Sequence, residues 1–185
     1  MNKEFFNNYF KYMQTGMESV NKDDLIAATE KILSVTQGGK KLIIAGNGGS
    51  AAMASHVSVD FTKAAGIRAI NFNEADLLTC FSNDYGYERV FEKAVDFYSD
   101  KGDLLILISS SGRSSNVINA AKRAKELNMT VITFSGFDSQ NPLRQLGDIN
   151  FWVDSKAYNI VEMTHHIWLL ALVDYIIGKI EYSAS

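Results

Sequence analysis

The chain of 185 residues has a single cysteine, Cys80, and a single proline, Pro142. One cysteine forms no internal disulfide and offers no zinc-finger spacing, so a disulfide-stapled scaffold is excluded and a reducing cytoplasm is the expected compartment. One proline leaves little to interrupt regular structure, so long helices and strands are expected. No run of 18 apolar residues occurs, and the opening Met1-Asn2-Lys3-Glu4-Phe5-Phe6 lacks the apolar core of a signal peptide, which argues against a membrane partner. Neither sign of charge dominates. Lys and Arg number 18 against 21 Asp and Glu, a formal charge of −3, so a broad nucleic-acid-binding surface is not expected. Histidine is scarce as well, with three in the chain.

What is present is the composition of one soluble globular domain over 1–185, with 46% hydrophobic and 21% charged residues. Phe5, Phe6, Tyr9, Tyr12 and Met13 recur at helical spacing and predict an amphipathic helix over about 2–18. A second helix is expected over about 22–36, between Asn21 and the Gly38-Gly39 pair. Beyond these N-terminal helices (1–38), residues 39–185 alternate short apolar runs with helical segments. Strands are expected at 41–45, 67–72, 104–108, 130–134 and 149–153. Helices are expected at 50–65, 74–81, 87–98, 114–127, 141–146 and 157–180, with a turn at Asn83-Asp84-Tyr85-Gly86. This alternation implies right-handed crossovers and a three-layer α/β/α sandwich around a five-stranded parallel sheet.

Two loops stand where a strand hands over to a helix, the place where open α/β sheets bind ligands. Gly46-Asn47-Gly48-Gly49-Ser50-Ala51 matches the loose dinucleotide pattern G-x-G-x-x-A, in which glycines allow a sharp turn and the helix start offers free N–H groups to an anion. A nicotinamide cofactor would need an acidic residue at the tip of the next strand. Glu74 and Asp76 fall inside the following helix instead, which disfavours a dehydrogenase. Ser109-Ser110-Ser111-Gly112-Arg113-Ser114-Ser115-Asn116 is rich in hydroxyls at a helix start. One serine is accounted for as an N-cap; five suggest a ring around the oxygens of a phosphate monoester. Arg113 adds a charge or points to solvent.

These segments, together with His56, Asn83-Asp84 and Val131-Ile132-Thr133, resemble the sugar isomerase (SIS) domain family in order and spacing over nearly the whole chain, with the phosphoheptose isomerase branch the best match. The resemblance implies a homotetramer with sites shared between subunits. It also implies conversion of sedoheptulose 7-phosphate to the aldoheptose phosphate, D-glycero-D-manno-heptose 7-phosphate, for lipopolysaccharide or capsule synthesis. On this resemblance Ser109, Ser110, Ser111 and Ser114 hold the phosphate, Asn47, Gly48, Gly49 and Ser50 line the sugar, and Asp84 contacts sugar hydroxyls.

Aldose–ketose isomerisation needs a base to move a proton between adjacent carbons and a way to stabilise the enediolate. His56 and Asp60 share a helix face at i, i+4, and so do Glu162, His165 and His166 at i, i+3 and i+4. Metal-binding members of the resembled family hold zinc with His and Glu on the first of these helices and Gln and His on the last. Here His56 is kept, Asp60 stands for the glutamate, and Val161 and Leu169 occupy the other two positions, so a zinc site of the usual composition is not expected. His56, Asp60 and His165 are the candidates for an altered one. Glu162 is expected to be the base, as in metal-free relatives, His165 the proton shuttle or carbonyl polariser, and Asp60 a secondary candidate for either role. The alternative reading is a non-catalytic SIS protein of the type that binds a replication initiator, favoured by the losses at Val161 and Leu169.

Overall fold

The computed structural model describes residues 2–182. Two helices, α1 (Lys3–Glu18) and α2 (Lys22–Gln37), precede the sheet. Each starts on an asparagine whose side chain accepts from a first-turn amide, Asn2 from Glu4 N (3.1 Å) and Asn21 from Asp23 N (3.0 Å). The core then runs β1 (Leu42–Gly46), α3 (Gly49–Lys63), β2 (Ala69–Asn71), α4 (Ala75–Tyr85), a 3₁₀ turn (Tyr87–Arg89) and α5 (Val90–Tyr98). It continues with β3 (Leu104–Ser109), α6 (Ser115–Glu126), β4 (Thr130–Gly136), β5 (Ile149–Val153) and α7 (Tyr158–Ile177).

All neighbouring strands pair in parallel, in the order β2-β1-β3-β4-β5. The expected three-layer sandwich is therefore the observed fold. Central strands reading Leu-Ile-Ile-Ala-Gly and Leu-Leu-Ile-Leu-Ile-Ser are buried on both faces, as parallel strands under two helical layers must be. Period-two alternation splits them between two cores. Leu42, Ile44, Leu104, Ile106 and Ile108 face the layer of α2, α3 and α7; Ile43, Ala45, Leu105 and Leu107 face α4, α5 and α6.

Helix α7 is apolar nearly all round and long enough to cross a membrane by length and composition. Here it is the central helix of one layer, packed on α1, α2, α3, β4 and β5. Trp168 Nε1 donates to the Met17 carbonyl (2.9 Å) and ties α1 to it.

Several boundaries differ from the sequence reading, three of them for a legible physical reason. The expected turn at 83–86 is the last turn of α4, because Tyr85 packs edge-on against Phe81 one turn back (5.8 Å) and the helix stops only at Gly86. The helix expected at 141–146 is a series of turns. The buried Asn141 side chain donates to Ser135 Oγ (3.0 Å) and the Asp138 carbonyl (2.8 Å) and accepts from Arg144 N (3.0 Å), replacing a helical ladder with side-chain bonds. Helix α7 ends at Ile177 rather than 180, with Gly178 in the left-handed conformation that closes helices.

Candidate functional site

Strands β1 and β3 are neighbours, with Gly46 in register with Ile108, so the two loops leave the sheet side by side. Between them lies a cleft of about 130 Å³ lined by Asn47, Ser50, Ile108, Ser109, Ser110, Ser111, Ser114, Tyr158 and Glu162. It sits at the carboxyl ends of the strands, flanked by the N-termini of α3 and α6.

The glycine loop is shaped by two specific demands. Gly48 takes φ +56° as the chain turns into α3, a conformation side-chain-bearing residues avoid. Gly49 is required by close approach: a Cβ there would overlap the Glu162 carboxylate, lying 2.8 Å from its Cδ. Glu162, on the second turn of α7, is thus pressed against the first turn of α3, where an anion is favoured by the helix dipole.

The serine loop arranges its hydroxyls around the start of α6. Ser109 Oγ and Ser114 Oγ are 3.4 Å apart, and Ser111 Oγ accepts from Arg113 N (3.2 Å). Ser110 Oγ is buried with no partner, although the Ser110 carbonyl accepts from Gly136 N (2.9 Å) and holds the loop to β4. A buried hydroxyl without a partner is costly and calls for a ligand or water to satisfy it. Arg113 is not part of the cleft; it pairs with Asp138 at 2.7 Å on the surface.

The two loops are joined. Asn47 and Asn116 exchange reciprocal amide hydrogen bonds, both 2.9 Å, and the Tyr87 hydroxyl reaches Asn47 Oδ1 at 2.9 Å. Asn116, Tyr87 and Tyr158 were not singled out from the sequence as site residues. Tyr158 had a legible signal, since it precedes Glu162 by four positions and shares its face of α7. Its ring packs edge-on against Phe137 (4.9 Å), which holds φ +59°.

Four expected residues lie elsewhere. His165 is fully buried, with Nε2 donating to the Ser135 carbonyl (2.9 Å) and Nδ1 unpartnered, between Phe134 and Trp168. Burial lowers its pKa to about 4, so it is neutral, and it does not reach the cleft. The shuttle expected of it is replaced by a core role. Asp84 is exposed on α4 beside Cys80 Sγ (3.7 Å) and Asn83 Nδ2 (2.9 Å), outside the cleft, because α4 runs through it. Asp60 pairs instead with His56 Nε2 (3.3 Å), and His56 Nδ1 meets His166 Nε2 at 2.9 Å. Burial, then the neighbouring His56, lower the His166 pKa.

This donor set does not fit the family's zinc. Val161 and Leu169 are fully buried in the core and carry no ligand atom. The two ring nitrogens of His56 face different partners, and His165 spends Nε2 on a backbone carbonyl. Among the described residues no three His, Cys, Asp or Glu side chains converge as a metal site.

Comparison with known proteins agrees with this architecture. A family model described as the SIS domain matches residues 5–136. The phosphoheptose isomerase of Aliarcobacter butzleri strain RM4018 is 37% identical over 161 residues, covering 84% of this chain and 82% of that protein. The structure of a phosphoheptose isomerase from Francisella tularensis superposes with a TM-score of 0.88 at 26% identity, covering 97% of this chain and all of the other. That of the phosphoheptose isomerase from Neisseria gonorrhoeae gives 0.87 at 29% identity, covering 95% and 98%. The fold, the paired loops and these likenesses place the chain in the SIS-domain family, in its phosphoheptose isomerase branch.

Proposed function

We propose that this protein is an aldose–ketose isomerase that converts sedoheptulose 7-phosphate to D-glycero-D-manno-heptose 7-phosphate, or a related heptose phosphate, in the cytoplasm, as a step toward surface polysaccharide. The observation that carries the reading is the buried, unpartnered Ser110 hydroxyl within the serine ring, with the Glu162 carboxylate on the same small cleft. The serine hydroxyls and the start of α6 grip the phosphate. Glu162 takes the proton from C1 of the open-chain ketose and returns it to C2, while a hydroxyl proton passes from O1 to O2. Asn47 and Ser50 line the sugar between these ends.

The cleft of about 130 Å³ is well below the roughly 300–1,000 Å³ of pockets that enclose a whole ligand. One chain therefore encloses only part of a heptose phosphate, and the rest of the sugar is held by a neighbouring copy. Two exposed apolar stripes support a homotetramer: Phe5, Phe6, Phe10 and Tyr12 on α1, and Met163, Ile167 and Tyr175 on α7. Asp84, which does not line the cleft, would contact sugar across such an interface.

Incubation with sedoheptulose 7-phosphate, followed by NMR for the aldose, tests the activity. Glu162→Gln should lower kcat by roughly 10²–10⁴-fold while thermal stabilisation by the sugar phosphate persists. Normal turnover in that variant would remove Glu162 from the mechanism. The second reading, a phosphosugar-binding regulator of the type that binds a replication initiator, is favoured by the apolar Val161 and Leu169. It requires stabilisation by sugar phosphates with no turnover across five- to seven-carbon substrates.

A further inference from the structure

Asn47 is held more firmly than a loop side chain needs to be. The backbone N–H of Val117 can only donate, and it lies 3.0 Å from Asn116 Oδ1, which fixes the orientation of the Asn116 amide. Asn116 Nδ2 then donates to Asn47 Oδ1, Asn47 Nδ2 donates to Asn116 Oδ1, and the Tyr87 hydroxyl must donate to Asn47 Oδ1. Both lone pairs of Asn47 Oδ1 are thereby occupied, and a single N–H of Nδ2 is left for anything in the cleft. Asn116 is buried, so reversing its amide would strand these groups without water to replace their partners.

We propose that Asn116 and Tyr87 are positioning residues that lock the Asn47 amide so that it offers the cleft an N–H and never a carbonyl. Resting on the isomerase reading, the inference gives that N–H an oxygen to serve: the one that turns from carbonyl to enediolate beside Glu162. A donor fixed in place stabilises the charge that develops there, whereas an inverted amide would repel it. The pair also couples the loops, since Asn47 leaves β1 and Asn116 opens α6.

A double-mutant cycle on kcat and KM for sedoheptulose 7-phosphate tests this, using Tyr87→Phe, Asn47→Ala and the double variant. Tyr87 is exposed, so loss of its hydroxyl leaves the core intact. Tyr87→Phe should lower kcat about three- to tenfold, the scale of one hydrogen bond, with KM within about twofold because the serine loop is untouched. In the Asn47→Ala background it should have no further effect. Equal effects in both backgrounds, or an effect on KM alone, would overturn the proposal. A wild-type protein without turnover would instead defeat the isomerase reading, and the side-chain ¹⁵N resonances of Asn47 then decide separately. The Nδ2 proton bonded to Asn116 should be protected from solvent exchange in the wild type, and the resonance should shift and lose that protection in Tyr87→Phe; no change would overturn the lock.

Discussion

Helices α3 and α7 meet through reactive side chains at two places, and the two differ in kind. At one, Glu162 rests on Gly49 among the serine and asparagine groups of the cleft. At the other, one turn further along α7, His166 meets His56, which pairs with Asp60 at a half-buried edge. The second has more titratable groups, but they satisfy one another. The first has one carboxylate, yet it adds two helix starts, an unpartnered hydroxyl and an oriented amide. Convergence of unspent donors on one space, rather than density of ionisable groups, separates a site from a surface cluster.

The largest test of this contrast is Gly49→Ala. Its methyl would displace the Glu162 carboxylate, and a shift of about 1 Å at a reacting group costs on the order of a hundredfold in kcat. Circular dichroism should show the fold retained; near-normal turnover would mean that the contact with Gly49 does not set the base. Next in size is the third histidine, His165, which belongs to neither place. Its folded pKa of about 4 lies below the ordinary 6.5, so acid favours the unfolded chain, which takes up the proton first. Stability should be flat above about pH 6.5 and fall between there and about pH 4, by on the order of 3 kcal/mol, and His165→Gln should flatten that slope in urea titrations. A smaller effect is expected of Ser110→Ala, which should weaken sugar-phosphate binding about tenfold in calorimetry with kcat at saturation little changed. Smallest of all are His56→Asn and His166→Asn, expected to stay within about threefold in activity and roughly 0.5 kcal/mol in stability, with turnover indifferent to chelators. A hundredfold loss in either would break the comparison and place the histidine cluster in the reaction.

Much of the fold was legible because its strands are short apolar runs bounded by glycine and its loops are punctuated at helix starts. The rotation of α7 was not. Its residues are apolar on nearly every side, so no polar stripe marks the face turned to the loops. His165 and His166, adjacent in sequence and about 100° apart on the helix, could not be assigned to core and surface by spacing alone. Glu162 was named on the family resemblance, as the glutamate of metal-free relatives, and the contact that seats it on Gly49 was not legible. Asn116 and Tyr87 were hidden for a different reason: each acts on another side chain, positions 47 and 116 meet because β1 lies beside β3, and Tyr87 joins them through the packing of its 3₁₀ turn on α6.

The seat of Glu162 also has a consequence for synthesis. The glycine loop is among the first parts of the core to leave the ribosome, and the carboxylate that rests on it comes from the last helix. With it come Trp168, Leu169, Leu172 and Val173, which cover one face of the sheet. A nascent chain stopped before α7 therefore carries both loops but leaves the apolar side of β4 and β5 less covered, a surface that invites aggregation until α7 arrives. The cleft within one chain and the cover of that face of the core are completed by the same helix.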